Sequence, residues 1–409
     1  MPEPYTDRNV YILGAGFSAD ANAPLLYNFL DSSRVLLDDP DSGLDSLERS
    51  EFKTVFEFRR KMAQAREKVK IDLDNIEQLF GLVEMQQRLN YGNSSARTAT
   101  VYLIAKTLEL MISRASRRQT IPITANQAIP NSGAFLDSYH LPLQANIQPP
   151  RVALDLYDYF AMLIAGCFDP SGKRTHRKDT VISFNYDLVL DHALMRANIP
   201  ISYHLPAQFL SRQTEDSEKC LSLLKLHGST NWGICSKCKR HISVSLDKMT
   251  SSPGIFRNME CKECKSQAFQ PMLVPPSWDK TEYQDILQPV WSQAVSELQR
   301  ATRICVIGYS LPESDAYFKY LLTLGLSENH SLYKFIVIDL IQAPIFAQMI
   351  GGKNGSVPIS KTLRERYEDL LEDLFQERRF TFRGDGLWHW ISNGAIMQDL
   401  GRGEMITRG

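Results

Sequence analysis

Near the N-terminus the chain reads Val10-Tyr11-Ile12-Leu13-Gly14-Ala15-Gly16-Phe17-Ser18, an apolar run followed directly by a glycine turn. The apolar run predicts a buried strand, and the residues after the turn predict the start of a helix. In that geometry backbone N–H groups and a helix N-terminus face a pyrophosphate. The spacing Gly14-x-Gly16-x-x-Ala19 is a variant of the dinucleotide fingerprint, although Gly-Ala-Gly also occurs as an ordinary tight turn. The stretch alone leaves both interpretations open.

Strand patterns return in the second half of the chain. Short apolar runs that mostly end in a polar or glycine-bearing turn occur at Thr180–Phe184, Leu223–Leu226, Arg303–Ile307 and Phe335–Ile338. Helical patterns follow or separate them at Asp187–Ala197, Ser292–Arg300 and Asp315–Leu326. Buried parallel strands have this appearance, and their carboxyl ends carry the site. We therefore expect an α/β fold: a doubly wound, parallel, Rossmann-like sheet with a large helical insertion and a small four-cysteine zinc module.

The rest of the chain is predicted to be mainly helical. Ile76, Leu79, Phe80 and Val83 form an amphipathic stripe. Further helices are expected at 19–37 (interrupted by Pro24), 51–70, 101–112, 152–167 and 361–377, a long loop at 120–150 and a strand at 379–382. The predicted domains are the Rossmann-like domain at 1–37, 179–232 and 271–358, the helical insertion at 38–178, the zinc ribbon at 233–270 and a C-terminal helix and strand extension at 359–409.

Composition restricts the classes of function. The formal net charge of the 409 residues is −1, which gives direct nucleic-acid binding no support. We find neither a signal-peptide pattern nor an uncharged apolar run long enough to cross a membrane. The seven cysteines are an odd number and four of them form two Cys-x-x-Cys pairs, so we expect a reducing, cytoplasmic location.

The two cysteine pairs are the most specific local signal. Cys235-x-x-Cys238 and Cys261-x-x-Cys264 are separated by 22 residues, a spacing that is normal for a zinc ribbon. Each pair can bind one metal ion through a tight turn, and the two pairs together complete a tetrahedral thiolate site. Four thiolates leave no open coordination position, so the predicted zinc is structural.

Polar residues follow two of the predicted strands. Asn185 and Asp187 stand two residues apart after the run that ends at Phe184, so their side chains point toward one pocket if the segment is extended. Such a pair can order a water or bind a ribose, but Asp187 can also cap the following helix. His227 ends the next run and is well placed for proton transfer. A structural, hydrogen-bonded histidine is the alternative.

Two further strand ends carry candidate ligand contacts. Gly308 permits a close approach to a nucleotide and the Ser310 hydroxyl can bind a phosphate or ribose, although a plain strand-to-helix turn fits equally well. Asp339 follows the run Phe335–Ile338 and can accept hydrogen bonds from an adenosine ribose, or it is simply a loop residue. Asp315 can contact a ligand or cap its helix.

Taken in order, these motifs resemble the sirtuin superfamily. Ser183–Asp187 stands where sirtuins carry Thr-Gln-Asn-Ile-Asp, and His227-Gly228 comes shortly before the first cysteine pair, as in that family. Gly308-x-Ser310-Leu311 corresponds to the Gly-Thr-Ser-Leu of sirtuins. The resemblance covers residues 9–30 and about 179–340.

The departures from sirtuins concern the peptide-binding parts. Ala23-Pro24 runs into Leu25-Leu26-Tyr27 instead of Asp-Phe-Arg, and Pro271–Trp278 replaces the Phe-Gly-Glu segment that pairs with an acyl-lysine peptide. Prolines in a pairing strand remove N–H donors. This combination is similar to the sirtuin-like effectors of bacterial anti-phage systems, which hydrolyse NAD. The alternatives are an NAD-dependent protein deacylase and a non-catalytic NAD- or ADP-ribose-sensing subunit of a larger complex.

The resemblance implies roles for particular residues. Asn185 is expected to orient water and the nicotinamide ribose, Asp187 to hold the ribose or carboxamide region, and His227 to act as general base. The residues expected to bind the remainder of NAD are Gly14, Ala15, Gly16, Ser18, Gly308, Ser310 and Asp339. The expected activity is that of an NAD glycohydrolase with NAD as substrate and structural zinc. Because such an enzyme would poison its own cell, we expect a homo-oligomer or a partner protein such as an ATPase to restrain it.

Overall fold

The computed structural model divides into two compact units, which comprise Met1–Phe17, Gln119–Ile182 and Ala294–Gly409, and Ser18–Arg118 and Ser183–Gln293. The described residues are 7–65, 68–91, 95–115, 119–123, 152–167, 179–206, 220–244, 246, 254–267, 269–275, 283–312, 316–339 and 362–400. The strands are β1 Asn9–Leu13, β2 Thr120–Ile123, β3 Val152–Asp155, β4 Thr180–Ser183, β5 Ile201–Ser202, β6 Leu221–Lys225, β7 Gly228–Cys235, β8 His241–Ser243, β9 Phe269–Leu273, β10 Arg303–Ile307, β11 Lys334–Ile338 and β12 Phe380–Arg383. The α-helices are α1 Phe29–Asp38, α2 Ser46–Met62, α3 Ile76–Arg88, α4 Ser95–Ser113, α5 Leu156–Ile164, α6 Val189–Arg196, α7 Gly254–Arg257, α8 Gln284–Arg300, α9 Ala316–Leu326, α10 Leu363–Leu370, α11 Glu372–Gln376, α12 Gly386–Ser392 and α13 Ala395–Asp399.

The first unit is built on a parallel sheet. Its strands are neighbours in the order β12-β11-β10-β1-β4, and β1, β10, β11 and β12 pair in parallel. Every residue of β1 and β10 is buried, as expected for strands that helices cover on both faces. After β1 the chain forms β4 on one side of β1, and it later forms β10 on the other side of β1. The predicted doubly wound, Rossmann-like α/β fold is therefore confirmed, with its switch point at the ends of β1 and β10.

The second unit contains helices α2 to α4 of the predicted insertion. Helices α1 to α4 bury a shared apolar core that includes the predicted stripe of Ile76, Leu79, Phe80 and Val83. Helix α4 is the inner helix, since eleven of its residues are buried. Helix α2 begins with a capping box in which Asp45 and Glu48 satisfy each other's backbone N–H groups. Burial of the apolar faces, supported by such caps, explains why this stretch forms helices.

The second unit also contains strands β5 to β9. Strands β5 and β6 pair in parallel, and β8, β7 and β9 form an antiparallel sheet with β7 in the middle. The register between β7 and β9 shifts between Ser229 and Gly233. Next to this sheet, Cys235, Cys261 and Cys264 share a small core with Phe256 and Phe269.

Several predicted boundaries were wrong. The expected helix 152–167 begins as strand β3, which pairs antiparallel with β2, and Asp155 then caps α5 by accepting from the Tyr157 N–H. Strand β2 occupies the first four residues of the expected loop 120–150, whose remainder lies outside the described residues. The expected helix 19–37 is a 3₁₀ helix at Ala15–Ala21 and then α1, because Asn22 has φ 65° and Pro24 follows. The expected helix 361–377 is divided at Leu371 into α10 and α11.

Among the described residues, no helix combines the length and apolarity that spanning a membrane requires.

Candidate functional site

In the first unit, the turns after β1 and β10 touch each other through their backbones. Gly14 N–H donates to the Ile307 carbonyl at 3.0 Å, and Gly16 N–H donates to the Gly308 carbonyl at 2.8 Å. Gly308 has φ +64°, and a Cβ there would lie 2.1 Å from the Phe17 nitrogen. Only glycine fits this position. The two turns thus meet at the switch point of the sheet, where open α/β folds bind nucleotides.

The turn after β10 is held from the C-terminal part of the chain. The buried Tyr367 of α10 donates its hydroxyl to the Tyr309 carbonyl at 2.8 Å, and Arg366 donates to the Leu311 carbonyl at 3.3 Å. The Tyr309 ring stacks on Phe318 with 4.5 Å between ring centroids. Ser310, between the two held carbonyls, is exposed and available to a ligand. Neither Tyr367 nor Arg366 was predicted to act at this site.

Asp339 lies on the same edge of the sheet. Its N–H donates to the Arg383 carbonyl at 3.0 Å, and its carbonyl accepts from the Gly386 N–H at 3.1 Å, so the residue is fixed at the end of β11. Burial, and after it the charge of Asp339, raise the pKa of Tyr367 well above its usual value. The charge of Asp339 therefore acts on the same tyrosine whose hydroxyl binds the Tyr309 carbonyl. Asp315 lies outside the described residues.

In the second unit, Asn185 and Asp187 converge on Ser18. Ser18 Oγ donates to Asp187 Oδ1 at 3.0 Å, and Asn185 Nδ2 donates to Ser18 Oγ at 3.4 Å. Asp187 Oδ1 also accepts from the Val189 N–H at 3.0 Å, so this carboxylate supports the start of α6 as well. Of the two interpretations of Asp187, the contact with Val189 supports a role at the start of the helix, and a role in binding water or ribose stays a prediction.

Asp187 is deeply buried, and its environment acts on its ionisation in two directions. Burial raises the pKa of Asp187 above its usual value, while the charge of Lys225 and the hydrogen bonds from Val189 and Ser18 oppose that rise. A carboxylate held in this way is of the kind that active sites use.

His227 lies among aromatic rings. Its ring contacts Phe184 edge-on at 5.1 Å between centroids, and Tyr186 and Trp291 lie at 6.4 and 6.5 Å. Trp291 Nε1 donates to the Leu226 carbonyl at 3.1 Å, which fixes the backbone just before the histidine. The ring is 3% exposed, so its surroundings set its orientation.

Two backbone hydrogen bonds join the segment of Asn185 to the segment of His227. Leu226 N–H donates to the Ser183 carbonyl and Thr230 N–H donates to the Tyr186 carbonyl, both at 3.0 Å. These bonds flank Asn185 on one segment and His227 on the other. The structure therefore brings together within one unit the three residues predicted to be catalytic, together with Ser18.

The four cysteines form one cluster whose ligand sulfurs all lie within 4.8 Å of one another. Cys235 Sγ and Cys264 Sγ are 3.6 Å apart, and Cys238 Sγ and Cys261 Sγ are 3.4 Å apart. Sulfurs of a tetrahedral zinc site with Zn–S bonds of 2.3 Å stand about 3.8 Å apart. The cluster fits a structural zinc ion, as the sequence predicts.

Sequence reasoning missed Lys225, which is 1% exposed and donates from Nζ to the Asp187 carbonyl at 2.5 Å. The available signal was a charged residue inside the apolar run Leu223–Leu226.

The comparisons with known proteins give structural neighbours only. No family model matches the chain, and no curated protein matches it. The chain is similar to a structure of Sir2Tm bound to a propionylated peptide (13% identity, TM-score 0.35, 97% of this chain and 94% of that chain). It is also similar to a complex of Sir2, a p53 peptide and NAD+ (13% identity, TM-score 0.35, 96% and 93%). A third neighbour is Sir2 with an inhibitor, 2'-O-acetyl-ADP-ribose and deacetylated p53 peptide (13%, 0.35, 97% and 94%).

Proposed function

We propose that the chain is a sirtuin-like NAD hydrolase, which cleaves the nicotinamide–ribose bond of NAD and gives nicotinamide and ADP-ribose. The adenosine and pyrophosphate side is bound by Gly14, Ala15, Gly16, Gly308, Ser310 and Asp339, with Ser18 beside the catalytic residues. The main support is the arrangement of Asn185, Asp187 and His227 in one buried group. This group has the amide, carboxylate and imidazole that the cleavage requires.

In this mechanism water replaces nicotinamide on the anomeric carbon. Asn185 orients the water and the ribose, and Asp187 faces the positive charge that develops on the sugar as the bond breaks. Nicotinamide leaves with the electron pair of the broken bond, and the oxygen of water bonds to the anomeric carbon. His227 accepts the proton that the water loses.

One observation favours hydrolysis over deacylation: the protein itself uses the backbone of the segment Phe269–Pro275. The Phe269 carbonyl accepts from the hydroxyl of Tyr102 in α4 at 3.2 Å. Val274 donates its N–H to the His227 carbonyl at 2.9 Å and accepts from the Tyr186 hydroxyl at 2.8 Å. Proline at 271 and at 275 has no N–H to donate. These contacts and the two prolines remove backbone groups that an extended acyl-peptide would need for pairing.

The deciding experiment is nicotinamide release from NAD without any peptide, by the wild type and by Asn185→Ala. We expect release by the wild type and its loss in the variant, while Asn258→Ala, an exposed amide of the same unit, keeps wild-type turnover. Turnover that appears only with an acetyl-lysine peptide would show a deacylase instead. ADP-ribose binding without turnover under either condition would show a sensing subunit.

The biological part of the proposal is depletion of NAD as an anti-phage defence, restrained by self-association or by a partner protein. It is supported by the resemblance at the level of motifs and by a helical core in the second unit that contains no predicted catalytic residue. Sedimentation of the active protein tests it. A monomer that is fully active without any partner would contradict this restraint.

A further inference from the structure

Lys225 is the most deeply buried charged side chain near the candidate catalytic residues. It ends β6, two residues before His227, and only 1% of it is exposed. Its Nζ donates to the backbone carbonyl of Asp187 at 2.5 Å and lies 3.4 Å from Asp191 Oδ2. An ammonium group is stable at such depth only when it is paired and hydrogen-bonded. The contacts of Lys225 therefore indicate the role of this buried charge.

The partners of Lys225 form a polar group under the catalytic segment. Asp191 lies on α6 and accepts from the Tyr203 hydroxyl at 2.5 Å, which adds a second donor to this carboxylate. The charged and titratable groups that face Asp187 are Lys225 from β6 and Asp191 from α6, and Tyr203 lies beyond Asp191. Ser18 and the Val189 N–H add neutral donors to Asp187. One ammonium thus faces two buried carboxylates.

We propose that Lys225 is a positioning residue for cleavage of the nicotinamide–ribose bond: it fixes the Asn185–Asp187 segment through the Asp187 carbonyl and balances one of the two buried carboxylate charges. The inference rests on the function proposed above. Lys225 itself does not contact the substrate and transfers no proton.

The charge balance explains why this arrangement suits the reaction. With all three groups ionised, the two carboxylates and the ammonium carry a net charge of −1, opposite to the charge on an oxocarbenium-like sugar. Without the ammonium, Asp187 would lose the opposite charge that offsets its burial, and its pKa would rise. A protonated Asp187 would leave the developing positive charge without its nearest counter-charge. The lysine thus keeps Asp187 able to act as an anion.

The sign of the pH effect follows from the same contacts. Burial raises the pKa of Asp187, and the charge of Lys225 lowers it. Removal of Lys225 takes away the lowering contribution and leaves burial, so the pKa of Asp187 rises further. Because the active form is the carboxylate, the acidic limb of the pH–rate profile moves to higher pH.

The test is the pH dependence of kcat for nicotinamide release by three variants. Lys225→Met loses both the charge and the donor, Lys225→Gln loses the charge but keeps a donor, and Lys225→Arg keeps both. We expect Lys225→Met to lower kcat about 10²-fold, as misplacement of reacting groups does. Its acidic limb should move up by about one pH unit or more, the effect of losing a nearby opposite charge. Lys225→Gln should show the same shift of the limb with a smaller loss of kcat, and Lys225→Arg should keep the limb.

The matched control is Lys106→Met in α4. Lys106 is a half-buried lysine that contacts the carboxylates of Glu48 at 3.4 Å and Glu109 at 3.0 Å, away from the candidate catalytic residues. This variant should lower the melting temperature and leave the limb unchanged. If folded Lys225→Gln or Lys225→Met has the wild-type limb, the inference is wrong while the proposed function stands. If the wild type releases no nicotinamide with or without peptide, the proposed function fails and the inference fails with it.

Discussion

In the first unit the candidate nucleotide site consists of two backbone turns in contact, whereas in the second unit the candidate cleavage site is a cluster of buried side chains. The turns depend on the absence of side chains, since Gly308 approaches Phe17 to a distance that no Cβ permits. The cluster depends on which side chains are present: an amide, two carboxylates, an ammonium and an imidazole. We infer that a substitution in the turns should affect binding, and one in the cluster should affect the chemical step.

The largest expected effect that separates the two regions is that of metal removal. Strand β7 runs from Gly228, directly after His227, to the cluster residue Cys235. Structural zinc contributes about 10 kcal/mol or more to small zinc domains, so its loss should release the end of this strand. We expect a chelator, or Cys238→Ser, to lower both the melting temperature and kcat while ADP-ribose affinity changes less than about threefold, since zinc holds none of the turn residues.

Zinc content, kcat and ADP-ribose titration by calorimetry together check this prediction. Cys220→Ser, which lies outside the cluster, serves as control. Full kcat after stoichiometric loss of the metal would contradict the link between β7 and His227. Equal losses of affinity and kcat would instead remove the distinction between the two regions.

The next largest effect concerns His227. His227→Ala should lower kcat by about 10²- to 10⁴-fold, because the proposed general base is removed, and it should leave ADP-ribose affinity unchanged. Single-turnover release of nicotinamide measures the chemical step directly. His330→Ala, at an exposed position in the first unit, should behave as the wild type. Wild-type turnover in folded His227→Ala would leave this histidine with a structural role only.

These two regions also differ in how much the sequence predicted. The glycine turns were found because Gly14, Gly16 and Gly308 follow apolar runs, and a run that ends in glycine has few physical interpretations. The metal site could be predicted from the two cysteine pairs because metal binding fixes the spacing of the ligands. The alternation of side chains along an extended segment was the only basis for predicting that Asn185 and Asp187 point toward one pocket. A sequence pattern was sufficient wherever the feature depends on residues that are close together in the sequence.

The missed features depend on contacts between residues that are distant in the sequence. Lys225 differs from an ordinary strand residue only through Asp187 and Asp191, which lie more than thirty positions away. Strand β3 was predicted as helix because a short apolar run does not reveal its period, and pairing with β2 decides its conformation. The hydrogen bond from Tyr367 to the Tyr309 carbonyl likewise joins two residues that are distant in the sequence, so no local sequence pattern could predict it.

A smaller effect is expected from Gly308→Ala. The new Cβ would lie 2.1 Å from the Phe17 nitrogen and 2.3 Å from the Gly16 carbonyl carbon, at a φ of +64°. The two turns must separate to accommodate it, so we expect at least about tenfold weaker ADP-ribose binding from this positive-φ position. Gly81→Ala is the matched control, because nothing lies within 4 Å of that position. Unchanged ADP-ribose affinity in the Gly308→Ala protein would show that the turns do not bind the nucleotide.

The smallest effect tests whether the turns of the first unit act only on binding. Tyr367→Phe removes the hydroxyl that donates to the Tyr309 carbonyl and otherwise keeps the ring. A hydrogen bond of this kind contributes about 1 kcal/mol, which corresponds to about a fivefold rise in KM if the turn loosens around Ser310. The exposed Tyr320→Phe should leave KM unchanged. A fall in kcat at constant KM would mean that the C-terminal helix α10 acts on the chemical step, and the division between a binding region and a cleavage region would then be wrong.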